Sequence, residues 1–252
     1  MHMLREIFGN AYKAFRKSFR YIALISLFVH IPRNAIIVSI PGTWLSELNA
    51  MMQMSAEELL VAAQSVQSVM YIGLVMYTVL IIFDPLIVAG LTYIAIKTLA
   101  NEDVELAGIL DNTLQKWPSL MFTAFLFYAL ATFGMFLIIP GIYIMVVFVF
   151  YTMVVVDIGK WGFAALAESF RLVKGNFFKT VFVLLLTSVL GVIVNNIFTY
   201  ARYFEADFAN RVANVLMLTL RDTYTGYFTM VLIMYYFYLT KTKKGGELHA
   251  AE

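Results

Sequence analysis

The chain has 252 residues, 62% of them hydrophobic and 13% charged, with mean hydropathy +0.81. A soluble domain carries about 25% charged residues, so this composition leaves too little polar surface to cover a water-soluble core and points to a polytopic membrane protein. No cysteine is present, which excludes disulfides, thiol nucleophiles and cysteine metal sites, and the formal charge of +2 says nothing about partners until its distribution is read.

In chain order, Leu4, Ile7, Phe8, Ala11, Phe15, Phe19 and Ile22 recur at helical spacing, with Arg5, Lys13, Arg16, Lys17 and Arg20 on other faces. The pattern is a basic amphipathic helix expected to lie in a membrane interface. A signal peptide would also begin basic and turn apolar, but no small-residue cleavage site follows, so the segment reads as a retained anchor. A bilayer core about 30 Å thick needs about 20 apolar residues per crossing. The runs that qualify are Tyr21–Ile40, Val66–Ile96, Pro118–Ile139, Ile142–Val156, Phe177–Tyr200 and Tyr224–Thr240. Only two connections facing away from the basic segments are long, Gly42–Ser65 and Ala201–Thr223. Ser55-x-x-Glu58 is a capping box ahead of the second run. The fourth run would reach only about 22 Å, so a turn at Pro140-Gly141 below the surface, or local thinning of the bilayer, is expected. Weaker and stronger copies of the first amphipathic segment precede spans three (Leu106, Leu110, Leu114, Trp117) and five (Phe163, Leu166, Ala167, Phe170, Val173, Phe177). Gly245–Glu252 reads as a short solvated tail.

Basic residues recur before span one, between spans two and three (Lys97, Lys116), between four and five (Lys160, Arg171, Lys174, Lys179) and after span six (Lys241, Lys243, Lys244), whereas none occurs between Arg33 and Lys97. By the positive-inside rule both termini are expected in the cytoplasm, in a bacterial inner membrane. Tyr12-Lys13-x-x-Arg16-x-x-Phe19 parallels Phe170-Arg171-x-x-Lys174-x-x-Phe177. Ile40-Pro41-Gly42 parallels Ile139-Pro140-Gly141, with Lys17 and Lys116 at equal offset. The expected architecture is therefore a single all-α membrane domain over residues 1–244, with six transmembrane helices. It divides into three direct repeats, about 4–99, 100–158 and 159–240, each an interfacial helix followed by a helical hairpin.

The stretch Ile138-Ile139-Pro140-Gly141-Ile142-Tyr143, then Ala164-Ala165-Leu166-x-x-Ser169-Phe170-x-Leu172-Val173-Lys174-Gly175-Asn176-Phe177-Phe178, resembles a bacterial six-span family. Pro85-Leu86-x-x-x-Gly90-Leu91-x-Tyr93 is similar to the same family's second span. That family is named for the membrane domain of glycerophosphoryl diester phosphodiesterases. The likeness covers most of the chain, best over residues 80–190, and its motifs are structural rather than catalytic. It implies the six-span fold but no phosphodiesterase, because in those proteins the enzyme is a separate soluble domain absent here. Asp84 departs from the small or apolar residue that the resemblance leads one to expect.

Ionisable residues inside hydrocarbon are functional candidates, because burying charge is costly. Arg33 lies 13 residues beyond Arg20 and Asp84 lies 13 before Lys97, so both sit about 20 Å above the same boundary. Consecutive spans are usually neighbours, so the two are expected to pair. Two readings stand: a structural clasp, or a ligand or coupling site. Pro32 and Pro85 beside them would free backbone carbonyls at that depth. Asn195 and Asn196 in span five could line the same cavity or bond between helices. Arg221 and Asp222 open the last span and read as an interfacial pair rather than a deep site. His30, with no carboxylate in its own span, reads as a packed core histidine. Lys13, Arg16, Arg171 and Lys174 are expected to hold anionic lipid head groups.

Glu57-Glu58 and Glu102-Asp103 sit at helix starts, where the dipole favours them. There is no phosphate loop, zinc helix or nucleophile elbow, and no nucleophile–base pair can be assembled. The expectation is a non-enzymatic protein that handles lipid or another amphiphile, without cofactor or metal. The alternative is a small secondary transporter, exporter or peptide-immunity protein using Arg33 and Asp84. Membrane lipids with anionic head groups, and a second copy or another membrane protein, are the expected partners, with no nucleic acid.

Overall fold

The computed structural model describes residues 2–40, 50–51, 53–55, 58, 63–199 and 208–249. The helices are α1 (His2–Ser39), α2 (Ala63–Leu99), α3 (Leu106–Met135), α4 (Ile139–Val147), α5 (Tyr151–Ile158), α6 (Phe163–Lys174), α7 (Phe177–Thr199) and α8 (Phe208–His249), with no strand among the described residues. Five stretches, His2–Ser39, Gln67–Leu99, Leu106–Met135, Ile139–Ile158 and Phe177–Asn196, are long and apolar enough to cross a membrane. The chain is thus built as a multi-pass membrane protein.

α1 joins the expected interfacial helix and span one without a break. No glycine or proline interrupts residues 10–31, so the hydrogen-bond ladder runs through, and Pro32 is accommodated inside the helix. Its 38 residues reach about 57 Å, nearly twice the hydrocarbon thickness. The apolar stripe does not face lipid. Ile7, Ala11, Ala14, Ile22 and Ile25 are buried in the main core with Met230, Ile233, Met234 and Tyr236 of α8. Phe15 meets Tyr227 at a ring separation of 5.7 Å, and the Tyr227 hydroxyl donates to the Phe8 carbonyl.

α8 is not among the five apolar stretches, because tyrosines and threonines dilute its hydropathy. It is nevertheless the centre of the fold: Met230, Val231, Ile233, Tyr235 and Tyr236 are fully buried. Buried phenols need partners, and these have them. Tyr236 donates to Asp157 Oδ2 at 2.8 Å, and the Tyr235 hydroxyl lies 3.3 Å from Thr180 Oγ1. The helix starts at Phe208, so most of the expected Ala201–Thr223 connection is helical, and residues 200–207 lie outside the described set. At its other end the helix continues to His249, where a non-helical tail was expected.

The expected fourth span was Ile142–Val156, but the helical stretch runs from Ile139 to Ile158. Pro140 occupies the first turn, where its missing N–H removes no helical bond, and Gly159 ends the stretch at φ 76°. Twenty residues reach about 30 Å, so no thinning of the bilayer is required. The preceding turn is tight. Ile138 sits at φ 51°, and a Cβ on Gly141 would stand 2.6 Å from the Met135 backbone nitrogen. Only glycine lets these two backbones touch. The helix breaks at Phe148–Phe150, where buried Ser169 of α6 repairs the ladder. Its Oγ accepts from Phe150 N at 3.1 Å and donates to the Val147 carbonyl at 2.9 Å.

The buried face of α6 is Ala165, Leu166, Glu168, Ser169, Leu172 and Val173, while Phe163 and Ala167 of the expected stripe are exposed. Hydrogen bonding explains the rotation: Ser169 and Glu168 turn inward to polar partners, and aromatics take the outside. α6 is separated from α7 by Gly175-Asn176, unlike the uninterrupted entries of α1 and α3. The capping box is formed: Ser55 N donates to Glu58 Oε2 at 2.7 Å, and Glu58 N to Ser55 Oγ at 3.3 Å. That bond from the Ser55 backbone holds the Glu58 carboxyl below its ordinary range. Most of the Gly42–Ser65 connection lies outside the described residues.

Candidate functional site

Four charged side chains from α1, α2 and α8 meet in one cluster. Arg33 Nε lies 3.1 Å from Asp84 Oδ1, an ion pair without hydrogen-bond alignment. The same guanidinium donates through Nη1 to Asp222 Oδ2 at 3.1 Å. Asp222 also accepts from Asn34 Nδ2 at 3.1 Å and from Arg221 Nε and Nη2 at 2.8 and 2.6 Å. Asn34 Nδ2 reaches Thr219 Oγ1 as well, and Arg221 Nη1 donates to Asn195 Oδ1 at 3.1 Å, extending the network to α7. Two arginines and two aspartates balance formally, which is what low-dielectric surroundings demand of buried charge.

Arg221 and Asp222 therefore do not stand as a separate interfacial pair. They lie within α8, whose earlier start carries them into the bundle, and the Asp222 side chain is only 8% exposed. Asn195 joins the network, whereas Asn196 is exposed with no contact to it among the described residues. His30 is buried with Nδ1 3.8 Å from Asp222 Oδ2, so its carboxylate comes from another helix rather than its own. Asn34 and Thr219 were not singled out from sequence. A polar residue beside Arg33 and one turn after His30 was the available signal for Asn34. Pro32 and Pro85 both lie inside continuous helices next to the cluster.

The two carboxylates differ. Asp222 is enclosed and held by several donors, while the Asp84 side chain is 34% exposed and has Arg33 as its ion-pair partner. An apolar groove of about 260 Å³ lies between α1 and α2, lined by Ile36, Leu74, Val75, Thr78, Val79, Ile82 and Phe83. The Arg33–Asp84 pair joins the same two helices, with Ile36 one turn beyond Arg33 and Phe83 preceding Asp84 in the chain.

Of the four expected head-group ligands, Lys13, Arg16 and Lys174 are exposed and make no ion pair among the described residues. Arg171 is committed internally. Its Nη2 and Nε donate to Glu168 Oε1 at 2.7 and 3.1 Å, and Lys160 Nζ donates to Glu168 Oε2 at 2.7 Å. Burial pushes the Glu168 carboxyl up, but the two cationic donors outweigh it and hold it below the usual carboxylate range. Lys116 Nζ reaches the Val156 carbonyl and caps the end of α5.

Among the described residues no group of three or more histidine, aspartate or glutamate side chains is arranged to hold a metal ion. No family model, curated protein or solved structure matches the chain, so its site is read from its own geometry.

Proposed function

We propose that this chain is a six-span protein of the bacterial inner membrane that binds an amphiphile without transforming it, with both termini in the cytoplasm. The observation that carries this reading is that the half-open Arg33–Asp84 pair bridges the same two helices, α1 and α2, whose apolar side chains line the groove. A ligand with a charged head and a hydrocarbon chain satisfies both at once: the head meets Arg33 and Asp84, and the chain lies along Ile36 and Leu74. Asp222, itself fixed by Arg221 and Asn34, holds Arg33 in place. Lys13, Arg16 and Lys174 add a cationic face that attracts anionic lipid. Six crossings, implied by the resemblance to the membrane domain of glycerophosphoryl diester phosphodiesterases, and three repeats, suggested by the internal sequence parallels, belong to the same proposal, with α8 supplying the sixth.

Native mass spectrometry of the detergent-purified chain tests it. Wild type retains an amphiphile. Arg33→Gln reduces retention by about tenfold or more, the loss expected for one charge-assisted bond. Leu74→Trp, at a 65% exposed position, obstructs the groove while leaving the charges alone and reduces retention as well. Unchanged retention in both variants refutes the reading. Because the chain has no cysteine, single cysteines report sidedness cleanly: Gln53→Cys labels from outside intact cells and Lys13→Cys does not.

A transport reading is favoured by one specific difference, the exposure of Asp84 against the enclosure of Asp222. A carboxylate that can take up a proton releases Arg33 to an anionic head group. Asp84→Asn would then abolish pH-dependent flux in vesicles while retention persists.

A further inference from the structure

A second cavity lies at the opposite ends of the same helices. It occupies about 480 Å³ between the start of α1, the end of α2 and the end of α8, within the size range of small-molecule sites. Glu6 and Asn10 of α1 line it together with Tyr238 and Lys241 of α8, and its buried apolar residues are Ile7 and Met234. Glu6 and Lys241 carry opposite charges on one cavity but form no ion pair with each other among the described residues. Glu6 Oε2 lies 3.9 Å from His2 Nδ1. Asn10 and Tyr238, which line the cavity, are half-buried.

Opposite charges separated across a cavity, with uncharged hydrogen-bonding groups between them and apolar lining residues, are complementary to a group that carries both signs. We propose that this cavity binds a zwitterion made of a primary ammonium and a phosphate or carboxylate. Glu6 takes the ammonium, Lys241 takes the anion, and Asn10 and Tyr238 bond to the atoms between. Two helices distant in sequence, α1 and α8, supply the contacts, so the site forms only in the folded bundle. Phosphatidylethanolamine and free phosphoethanolamine present this chemistry equally. The site is independent of Arg33 and Asp84, which lie elsewhere on α1 and α2.

The test uses the full chain in nanodiscs of phosphatidylcholine, with phosphatidylethanolamine or phosphatidylglycerol added, read by native mass spectrometry of retained lipid. Free phosphoethanolamine is titrated separately by calorimetry in detergent. The expected result is a preference of about tenfold or more for the ethanolamine lipid over the equally charged choline lipid, lost in Glu6→Gln, with retention of both lowered in Lys241→Gln. The paired exchange Glu6→Lys with Lys241→Glu restores zwitterion binding in the reverse orientation, which separates recognition from any loss of folding. Saturable binding of free phosphoethanolamine assigns the site to a soluble ligand, and lipid retention without it assigns the site to the membrane; both support the zwitterion. Equal retention of the ethanolamine and choline lipids by wild type, with no binding of the free compound, overturns the proposal, as does a preference unchanged in Glu6→Gln. Arg33→Gln leaves the preference intact, so this site and the groove fail separately.

Discussion

Replacing Asp222 with asparagine keeps the shape of the side chain but removes the charge on which Arg33 and Arg221 converge. In wild type the carboxylate is 8% exposed and accepts from Arg33, Asn34 and both Arg221 nitrogens at 2.6–3.1 Å. After the substitution one positive charge in the cluster has no counterion. Breaking a buried pair in this way costs about 3–5 kcal/mol, because the remaining charge is left desolvated. For a chain of this size each kcal/mol moves the thermal midpoint by about 2–4 °C, so a fall of about 6–20 °C is expected. Asp84→Asn is the internal comparison. Its side chain is 34% exposed and its partner Arg33 keeps the bond to Asp222, so a smaller fall is expected. Circular dichroism melts of both variants in one detergent at one scan rate make the comparison, since unfolding of membrane helices need not be reversible. Equal losses, or a larger loss for Asp84→Asn, would refute the division between an enclosed anchor and an open partner.

Ser169→Ala removes both bonds that repair the helix break, leaving the Phe150 N–H and the Val147 carbonyl unsatisfied. A loss of about 1–3 kcal/mol is expected, with faster hydrogen exchange at Phe148–Tyr151 than elsewhere in α5. Gly141→Ala forces a Cβ to within 2.6 Å of the Met135 nitrogen and is expected to lower stability by about 1–3 kcal/mol, whereas Gly9→Ala meets nothing within 4 Å and serves as the neutral control. Glu168 gives a pH dependence of known sign. Its carboxyl is held below the ordinary range in the folded protein, so its contribution is fully present above the unfolded carboxylate value of about 4.3 and is lost as pH falls through the lower folded value. Melting midpoints measured across that window should fall on acidification in wild type and fall less in Glu168→Gln.

Much of the architecture was legible from residue order because the membrane imposes one-dimensional rules. An apolar run must have a certain length, a break needs glycine or proline, and a charge needs a stated depth. The matched depths of Arg33 and Asp84 led to their pairing on adjacent helices. The capping box at Ser55 and Glu58 was readable for the same reason, since its partners are three residues apart. Where the reading failed, the deciding contact was distant in sequence. The stripe of α1 was assigned to lipid because amphipathic spacing does not distinguish a lipid face from a helix face, and α8 covers it. The stripe of α6 was rotated by Ser169 and Glu168, whose partners are 19–22 and 3–8 residues away.

The amino-acid order alone dictates an all-helical chain built from apolar runs, punctuated at Pro140-Gly141 and Gly159 and carrying a few costly charges. Which charges share a site was settled by packing. Arg33 and Asp222 are 189 residues apart, and only the antiparallel placement of α1 against an early-starting α8 brings them to 3.1 Å. Burial is a property of neighbours rather than of composition. The tyrosine-rich α8, whose polar residues dilute its hydropathy, therefore lies at the centre, and the Arg171 side chain, 62% exposed, is paired with Glu168.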